Sequence, residues 1–271
     1  MVHRALVAAA MLAVAGGCSL LVSTSGLDDG TAADASTVDG AVSTDATDGD
    51  GPSDAGSRDA DGAGGFCASM GSPPKFCLDF DTGDLSGLDE LAGAPTLDTS
   101  RSVSPTRSLL ADVPGDATER YAKVIKNFGT TPRSFELSFD VYVEQYDPTK
   151  DVELPSMVLR VSGVHMCSLG VAVRRGNFTF DEYCVKNGVE DVDVSHRTTA
   201  GTRLGLWTHV SVAVDLQSRV FSMSVEDAMI TAALSPKLAV GALSLAVGIN
   251  YLQNMSGRAK TYFDNVRFDF R

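Results

Sequence analysis

Alternating apolar and polar positions dominate the chain from residue 66 onward. Residues 134–144 read SFELSFDVYVE, which places large apolar side chains on one face and mostly polar ones on the other. A period of two is typical of a half-buried β-strand. Comparable patterns predict further strands at 76–81, 106–112, 120–128, 155–163, 167–175, 177–185, 189–195, 207–216, 219–227, 242–251 and 259–270.

Turn signals separate these strands, and no stretch of about ten residues carries a helical apolar stripe. Arg-Gly-Asn at 175–177, Lys-Asn-Gly at 186–188 and Ser-Pro-Lys at 235–237 mark three of the turns. About a dozen short antiparallel strands in one domain predict an all-β fold, a two-sheet antiparallel β-sandwich.

The amino terminus carries a different pattern. Residues 5–17 are apolar or small, which is too short for a membrane-spanning helix and fits a secretory signal. The small residues at 15–17 lead directly into Cys18, and this pattern resembles the lipobox of bacterial lipoproteins. The resemblance implies a signal peptide at 1–17 and a lipidated Cys18. It also implies the outer membrane, because Ser19 stands where family members retained in the inner membrane have Asp. The alternative is a secreted protein in which Cys18 carries no lipid.

Residues 18–65 are predicted to be a disordered acidic linker. Positions 24–65 hold ten Asp, one Arg and no aromatic residue, so they cannot bury enough apolar surface to offset ordering. This segment carries a charge of −9 out of the total of −13. Arg4 contributes +1, so residues 66–271 carry a net charge of −5. The acidic balance argues against a nucleic acid partner.

Four cysteines remain in the predicted domain 66–271, and an even number in an exported domain indicates two disulfides. Three pairings are open, and the hairpin geometry favours one. A turn centred on Arg175 and Gly176 places Cys167 directly opposite Cys184. Cys67 and Cys77 would then close the entry loop. The absence of a C-x₂-C pair argues against a metal site.

Four segments, taken in order, resemble the concanavalin A-like and laminin-G-like jelly rolls. They are FCLDFDTGD (76–84), LDTSRSVSPTRSLLAD (97–112), LGLWTHVSVAVDLQSRVFSMSVED (204–227) and TYFDNVRFDF (261–270). The resemblance implies a lectin- or glucanase-type sandwich with one concave face. It also implies that the last strand pairs with the first. Members of the family bind glycans, cleave glycans or bind proteins.

No catalytic residues can be assigned from the sequence. A glucanase of this fold carries two Glu and an Asp as E-x-D-x-E or E-x-D-x-x-E, and neither motif is present; Glu190-Asp191-Val192-Asp193 lacks the second Glu. Glu136, Asp140 and Glu144 share a face, but neighbours four residues apart lie roughly 13 Å apart on a strand. That exceeds the roughly 5–9.5 Å between the carboxyl groups of glycosidases.

Aromatic side chains offer apolar platforms for sugar rings. Tyr142, Tyr146, Tyr183, Trp207 and Tyr251 are the candidates. Tyr142 is favoured because alternation turns it away from the apolar face, with Asp140 and Glu144 beside it as polar ligand-binding partners. Trp207 is assigned to the core.

A structural calcium ion is expected near the chain ends of the domain. Asp79 and Asp81, with Asp84 after them, approach Asp264 if the first and last strands pair as the resemblance implies. Calcium prefers several oxygen ligands, including carboxylates. The alternative is that these Asp side chains cap turns.

These observations favour a lipid-anchored envelope protein whose β-sandwich binds a glycan or an envelope protein without catalysis. The bilayer is then a partner through the acyl chains. A polysaccharide hydrolase or lyase with carboxylates on different strands, and a structural envelope component, stay open as alternatives.

Overall fold

The computed structural model describes residues 65–115, 120–252 and 257–271. The predicted signal peptide, Cys18 and the acidic linker up to residue 64 lie outside the described residues. Within the described ranges the regular elements are all β-strands, which form two antiparallel sheets. The predicted all-β sandwich is therefore confirmed. These same ranges contain no helix long and apolar enough to cross a membrane.

Sixteen strands are present in the described part of the chain. They are β1 (Phe76–Leu78), β2 (Glu90–Ala92), β3 (Thr96–Asp98), β4 (Ser108–Val113), β5 (Ala122–Asn127), β6 (Ser134–Gln145), β7 (Val152–Ser162), β8 (His165–Arg174), β9 (Asn177–Lys186), β10 (Val189–Gly201), β11 (Trp207–Asp215), β12 (Val220–Val225), β13 (Ala228–Ala233), β14 (Ala242–Ile249), β15 (Tyr251–Leu252) and β16 (Ala259–Phe270).

The strands are shared equally between two sheets. Sheet A has the order β13-β12-β11-β6-β16-β4-β3, and β1 also pairs with β16. Sheet B has the order β10-β9-β8-β7-β14-β5-β2, and β15 also pairs with β7. Phe76 of β1 lies opposite Phe268 of β16, so the expected pairing of the first and last strands is confirmed.

The core lies between the two sheets because alternation sends one side of each strand inward. The apolar series of β6 is buried at Phe135, Leu137, Phe139, Val141 and Val143. Phe180 of sheet B stacks on Phe221 of sheet A with 4.1 Å between ring centroids. These contacts join the sheets through close-packed apolar surface, which is the main stabilising term of a sandwich.

Two disulfides brace the sandwich. Cys167 and Cys184 are directly opposite in the β8–β9 hairpin and are bonded, as the turn at Arg175 and Gly176 predicts. Cys67 is bonded to Cys77 at the start of β1. The pairing favoured by the sequence is the one present.

Four strands were not predicted as separate elements, and one of them, the two-residue β15, falls at the end of the single strand predicted over 242–251. β2 and β3 have three residues each, too few for alternation to stand out. β13 is an edge strand whose side chains are all small, apolar or Thr, so its alternation of exposed and half-buried positions leaves no polar pattern. β7 begins at Val152, not at Pro155, because the proline sits at an irregularity inside the strand.

Candidate functional site

A groove of about 710 Å³ runs over the outer face of sheet B. It is larger than the depressions of about 490 Å³ and 390 Å³ on the outer face of sheet A. Small side chains occupy the middle of its floor at Ser168, Ser244 and Ala246, and Ser156 and Gly170 line a small pocket next to them. They alternate with core residues such as Leu169 and Leu245, which point into the sandwich. The outer face is therefore open where a ligand could lie against the sheet.

Strand pairing brings the groove residues together from distant parts of the chain. Ser244, Val158, Ser168 and Tyr183 are consecutive neighbours across β14, β7, β8 and β9. The next row runs from Ala246 through Ser156 and Gly170 to Asp181.

A β-bulge in β7 places two polar side chains, Glu153 and Ser156, on the outer side of sheet B. Glu153 lies opposite Ala172 and Ser156 lies opposite Gly170, so three residue steps on β7 match two on β8. The extra residue falls at Leu154–Pro155, and proline within a sheet is tolerated at such positions. Strict alternation would turn Ser156 inward if Glu153 points outward. The bulge places both on the groove side.

Two tyrosines flank the groove. Tyr183 projects from β9 and is 37% exposed, and Tyr251 projects from β15 and is 42% exposed. Tyr251 pairs with Glu153 on one side of β7, while β9 lies two strands away on the other side. About 14 Å of sheet, three strand spacings, separates the two strands. Their rings are accessible to a ligand in the groove.

Arg174 connects two carboxylates at one end of the groove. Its Nη1 donates to Asp151 Oδ2 and its Nε to Asp181 Oδ2, each at 2.7 Å. The hydroxyl of Ser195 donates to the other oxygen of Asp181 at 2.6 Å. Arg174 is thus committed to ion pairs within the protein.

A chain of polar contacts crosses the groove at the bulge. The ammonium of Lys123 donates to Asn250 Oδ1, and Asn250 Nδ2 donates to Glu153 Oε2 at 3.3 Å. Burial raises the pKa of Glu153, and the nearby charge of Asp181 raises it further. Burial lowers the pKa of Lys123. Perturbed ionisable groups in a groove are typical of functional sites.

The predicted ligand-binding residues lie elsewhere, on the outer face of sheet A. Asp140, Tyr142 and Glu144 share that face of β6, as alternation predicts. Tyr142 is only 9% exposed, because the Arg101 guanidinium lies 4.6 Å from its ring centroid and Trp207 packs at 5.6 Å. The expectation that Tyr142 offers an open stacking surface is therefore wrong.

The two carboxylates beside Tyr142 are engaged within the protein. Glu144 binds Lys260 at 2.9 Å and Arg101 at 3.2 Å, and the hydrogen bond from Lys260 is the main cause of its lowered pKa. Asp140 binds His209 Nδ1 at 2.8 Å and raises the pKa of that imidazole. Their role in ligand binding stays a prediction.

Trp207 is half-buried on the outer face of sheet A, opposite Tyr142, and is not part of the core cluster. The assignment of Trp207 to the core is wrong. Sequence alternation along β11 does place it with Ser211 and Ala213 on the outer face, opposite Val210 and Val212. The period of the strand, and not the apolar character of tryptophan, fixes the direction of this side chain.

The carboxylates predicted to bind calcium have separate partners. Asp264 accepts hydrogen bonds from the backbone N–H groups of Val103 and Ser104 at 2.7 and 3.0 Å. Asp81 accepts from Thr106 N, and Asp79 accepts from Cys67 N. In the described ranges no three His, Cys, Asp or Glu side chains are grouped as metal ligands. Calcium binding therefore stays a prediction, and these contacts do not support it.

The groove itself was not assigned from the sequence, although two of its aromatics, Tyr183 and Tyr251, were named. One pattern in the sequence does indicate an open outer face. The strands β8 and β14 alternate large apolar residues with Ser, Gly and Ala, as in CSLGVAV and ALSLAVGI. Small residues at every second position on an outer face leave room for something to lie against the sheet.

Comparisons with known proteins support the fold. No family model and no curated protein matches this sequence. Among solved structures, the cellulose-induced protein Cip1 matches with a TM-score of 0.56 and 10% identity, over 72% of this chain and 96% of that one. The binding domain of botulinum neurotoxin DC, in a complex with SialylT, matches with a TM-score of 0.50 and 12% identity, over 72% and 47%.

An alginate lyase from Pseudomonas aeruginosa matches with a TM-score of 0.43 and 16% identity, over 60% of this chain and 83% of that one. This chain spans about half the length of the matched botulinum domain. At these identities the Cip1 and botulinum matches show a jelly-roll β-sandwich fold and nothing more specific.

Proposed function

We propose that this protein binds a polysaccharide chain along the groove of sheet B, and that a lipid on Cys18 holds it at the outer membrane of a bacterial envelope. The observation that carries the binding proposal is the groove itself, with its floor of small side chains between two accessible tyrosines. Small side chains at Ser168, Ser244 and Ala246 leave room for an extended polymer, because long side chains there would block it.

The chemistry of the walls supports a sugar ligand. Tyrosine rings give sugar faces an apolar surface while losing little side-chain entropy. Asn250, Glu153 and Asp193 add acceptors and donors for hydroxyl groups around them. Cip1 is a cellulose-induced protein and the matched botulinum domain is in a complex with SialylT, which is consistent with a carbohydrate ligand for this fold.

Binding of the full-length chain, purified in detergent, to a panel of soluble polysaccharides would test the proposal by affinity electrophoresis and calorimetry. We expect Tyr183→Ala and Tyr251→Ala each to weaken binding by roughly tenfold through loss of ring contact. Met229→Ala is the matched control, because Met229 is 75% exposed on sheet A. Full binding by the double tyrosine variant, or no binding to any glycan by folded protein, would overturn the proposal. The second outcome would favour a structural envelope component.

A second candidate function is cleavage of the bound polysaccharide. It is favoured by Glu153, a largely buried carboxyl group with a raised pKa in the groove, since general acids have these properties. Release of reducing or unsaturated ends by the wild type, with loss of turnover in Glu153→Gln, would establish it. Unchanged polysaccharide after prolonged incubation would leave binding alone.

A further inference from the structure

A small pocket opens below the groove between β7, β8 and β9. It has a volume of about 10 Å³ and is lined by Glu153, Ser156, Ser168, Gly170, Val171, Asp181 and Tyr183. A space of this size holds about one water-sized group. The pocket therefore fits a single small polar group at the end of a ligand substituent.

The hydroxyl of Ser156 lines this pocket without a hydrogen-bond partner among the described residues. Ser156 is only 2% exposed, so bulk solvent does not compensate. Buried hydroxyl groups in folded proteins are nearly always paired. An unpaired one that faces a pocket is a hydroxyl to which a polar group of a ligand can hydrogen-bond.

Gly170 keeps the pocket open. A Cβ atom added at Gly170 would lie 2.8 Å from the Cβ of Ser156, directly across from it in the sheet. Every other residue would therefore crowd the Ser156 side chain.

The charges around the pocket favour a cation. Glu153 and Asp181 face it, and the charge of Asp181 raises the pKa of Glu153. The positive charge of Arg174 is shared between Asp151 and Asp181. Within the described structure, the carboxyl group of Glu153 has the side-chain amide of Asn250 as its only hydrogen-bond partner. Along the groove, Glu90, Glu190 and Asp193 add negative charge, while Lys123 and Arg160 are the other cations.

We propose that this pocket binds the protonated primary amine of an amino sugar, so that the ligand in the groove is a hexosamine-containing polysaccharide. This inference rests on the proposed glycan-binding function. An ammonium group has three donors. The Glu153 carboxylate, the Ser156 hydroxyl and the Asp181 carboxylate are acceptors on the walls of a pocket that admits one such group. The same negative charge disfavours polyuronates.

Calorimetry with three oligosaccharides of equal length would test this inference on the full-length protein at about pH 6, where amino groups are protonated. The probes are β-linked glucosamine, β-linked N-acetylglucosamine and β-linked glucose. We expect the glucosamine probe to bind at least about tenfold more tightly than the other two, because only it supplies a cation to the pocket.

Two variants locate the preference in the pocket. Glu153→Gln keeps the side-chain shape and removes the charge, and Gly170→Ala fills the space beside Ser156. Each should abolish the preference for glucosamine, measured within each variant as the ratio of its affinities for the glucosamine and glucose probes. Ser156→Ala is the alternative if Gly170→Ala does not fold by circular dichroism.

Glu136→Gln is the matched control, because Glu136 lies on the outer face of sheet A and its loss changes net charge equally. A preference that falls equally in Glu136→Gln would reflect long-range attraction of a polycation and would overturn the inference. Equal binding of all three probes would overturn the amine site and leave glycan binding intact. If the folded protein binds none of the three probes and no other glycan, the proposed function itself is overturned.

Discussion

Replacing Asp264 with asparagine should change how the stability of the fold depends on pH. The Asp264 side chain is fully buried on β16 and accepts hydrogen bonds from the backbone N–H groups of Val103, Ser104 and Asn265. Burial nevertheless raises its pKa from 3.8 to about 6. Asparagine has almost the same shape and does not titrate, so the substitution removes the pH-dependent part of this interaction.

The magnitude follows from the raised pKa. The folded state holds the Asp264 proton more tightly than the unfolded chain does, so folding takes up a proton between about pH 4 and about pH 6. The free energy of unfolding contributed by this group therefore falls as the pH rises through that window. One pKa unit corresponds to 1.36 kcal/mol, so the free energy of unfolding of the wild type should fall by about 3 kcal/mol relative to that of Asp264→Asn across this pH window.

Urea unfolding of both proteins across this pH range would measure the effect, with the difference between the two free energies plotted against pH. Lost hydrogen bonds in the variant shift that difference by a constant and leave its slope unchanged. Asp215→Asn is the control, because hydrogen bonds from Ser218 and Gln217 lower the pKa of Asp215. The free energy of unfolding of the wild type, relative to Asp215→Asn, should therefore rise with pH, opposite to the result for Asp264→Asn. Parallel curves for wild type and Asp264→Asn would refute the reasoning.

Three further predictions concern the disulfide, the calcium ion and the anchor. Replacing both Cys167 and Cys184 with alanine removes a disulfide that joins positions 17 residues apart, and it should lower the free energy of unfolding by roughly 3 kcal/mol. An unchanged midpoint of urea unfolding would contradict this prediction. If calcium binds at Asp79, Asp81 and Asp264, then EDTA should lower the melting temperature of the wild type, and identical melting with calcium and EDTA would remove the prediction. Cys18→Ala should move the protein from the membrane pellet to the soluble fraction, and a variant that stays in the pellet would disprove the lipid anchor.

Local patterns in the sequence account for the fold class. The alternation in residues 134–144 identifies β6 and its buried face, because successive side chains of any strand point to opposite sides. The turn at Arg175 and Gly176 sets the register of one hairpin, and that register alone places Cys167 opposite Cys184. Both features depend on residues close together in the chain, so they could be predicted without the tertiary structure.

The candidate site depends on contacts that no local pattern specifies. Lys123, Glu153, Tyr183 and Asn250 come from four separate segments and meet only because β5, β14, β7, β8 and β9 are neighbours in sheet B. The bulge at Pro155 reverses the alternation of β7 and turns Ser156 toward the outer face of sheet B, whereas uniform alternation places it inward. Tyr142 illustrates the converse case: its direction followed from the sequence, but Arg101, 41 positions earlier, covers its ring.

The sequence by itself therefore determined most of the strands, the buried face of a regular strand such as β6 and the disulfide pairing, because these follow from the two-residue period of a strand and the geometry of one hairpin. Only the tertiary structure decided which outer face is open to a ligand. That choice depends on strand order, on one bulge and on which side chains from distant segments cover each sheet, and each of these is a long-range property of the folded chain.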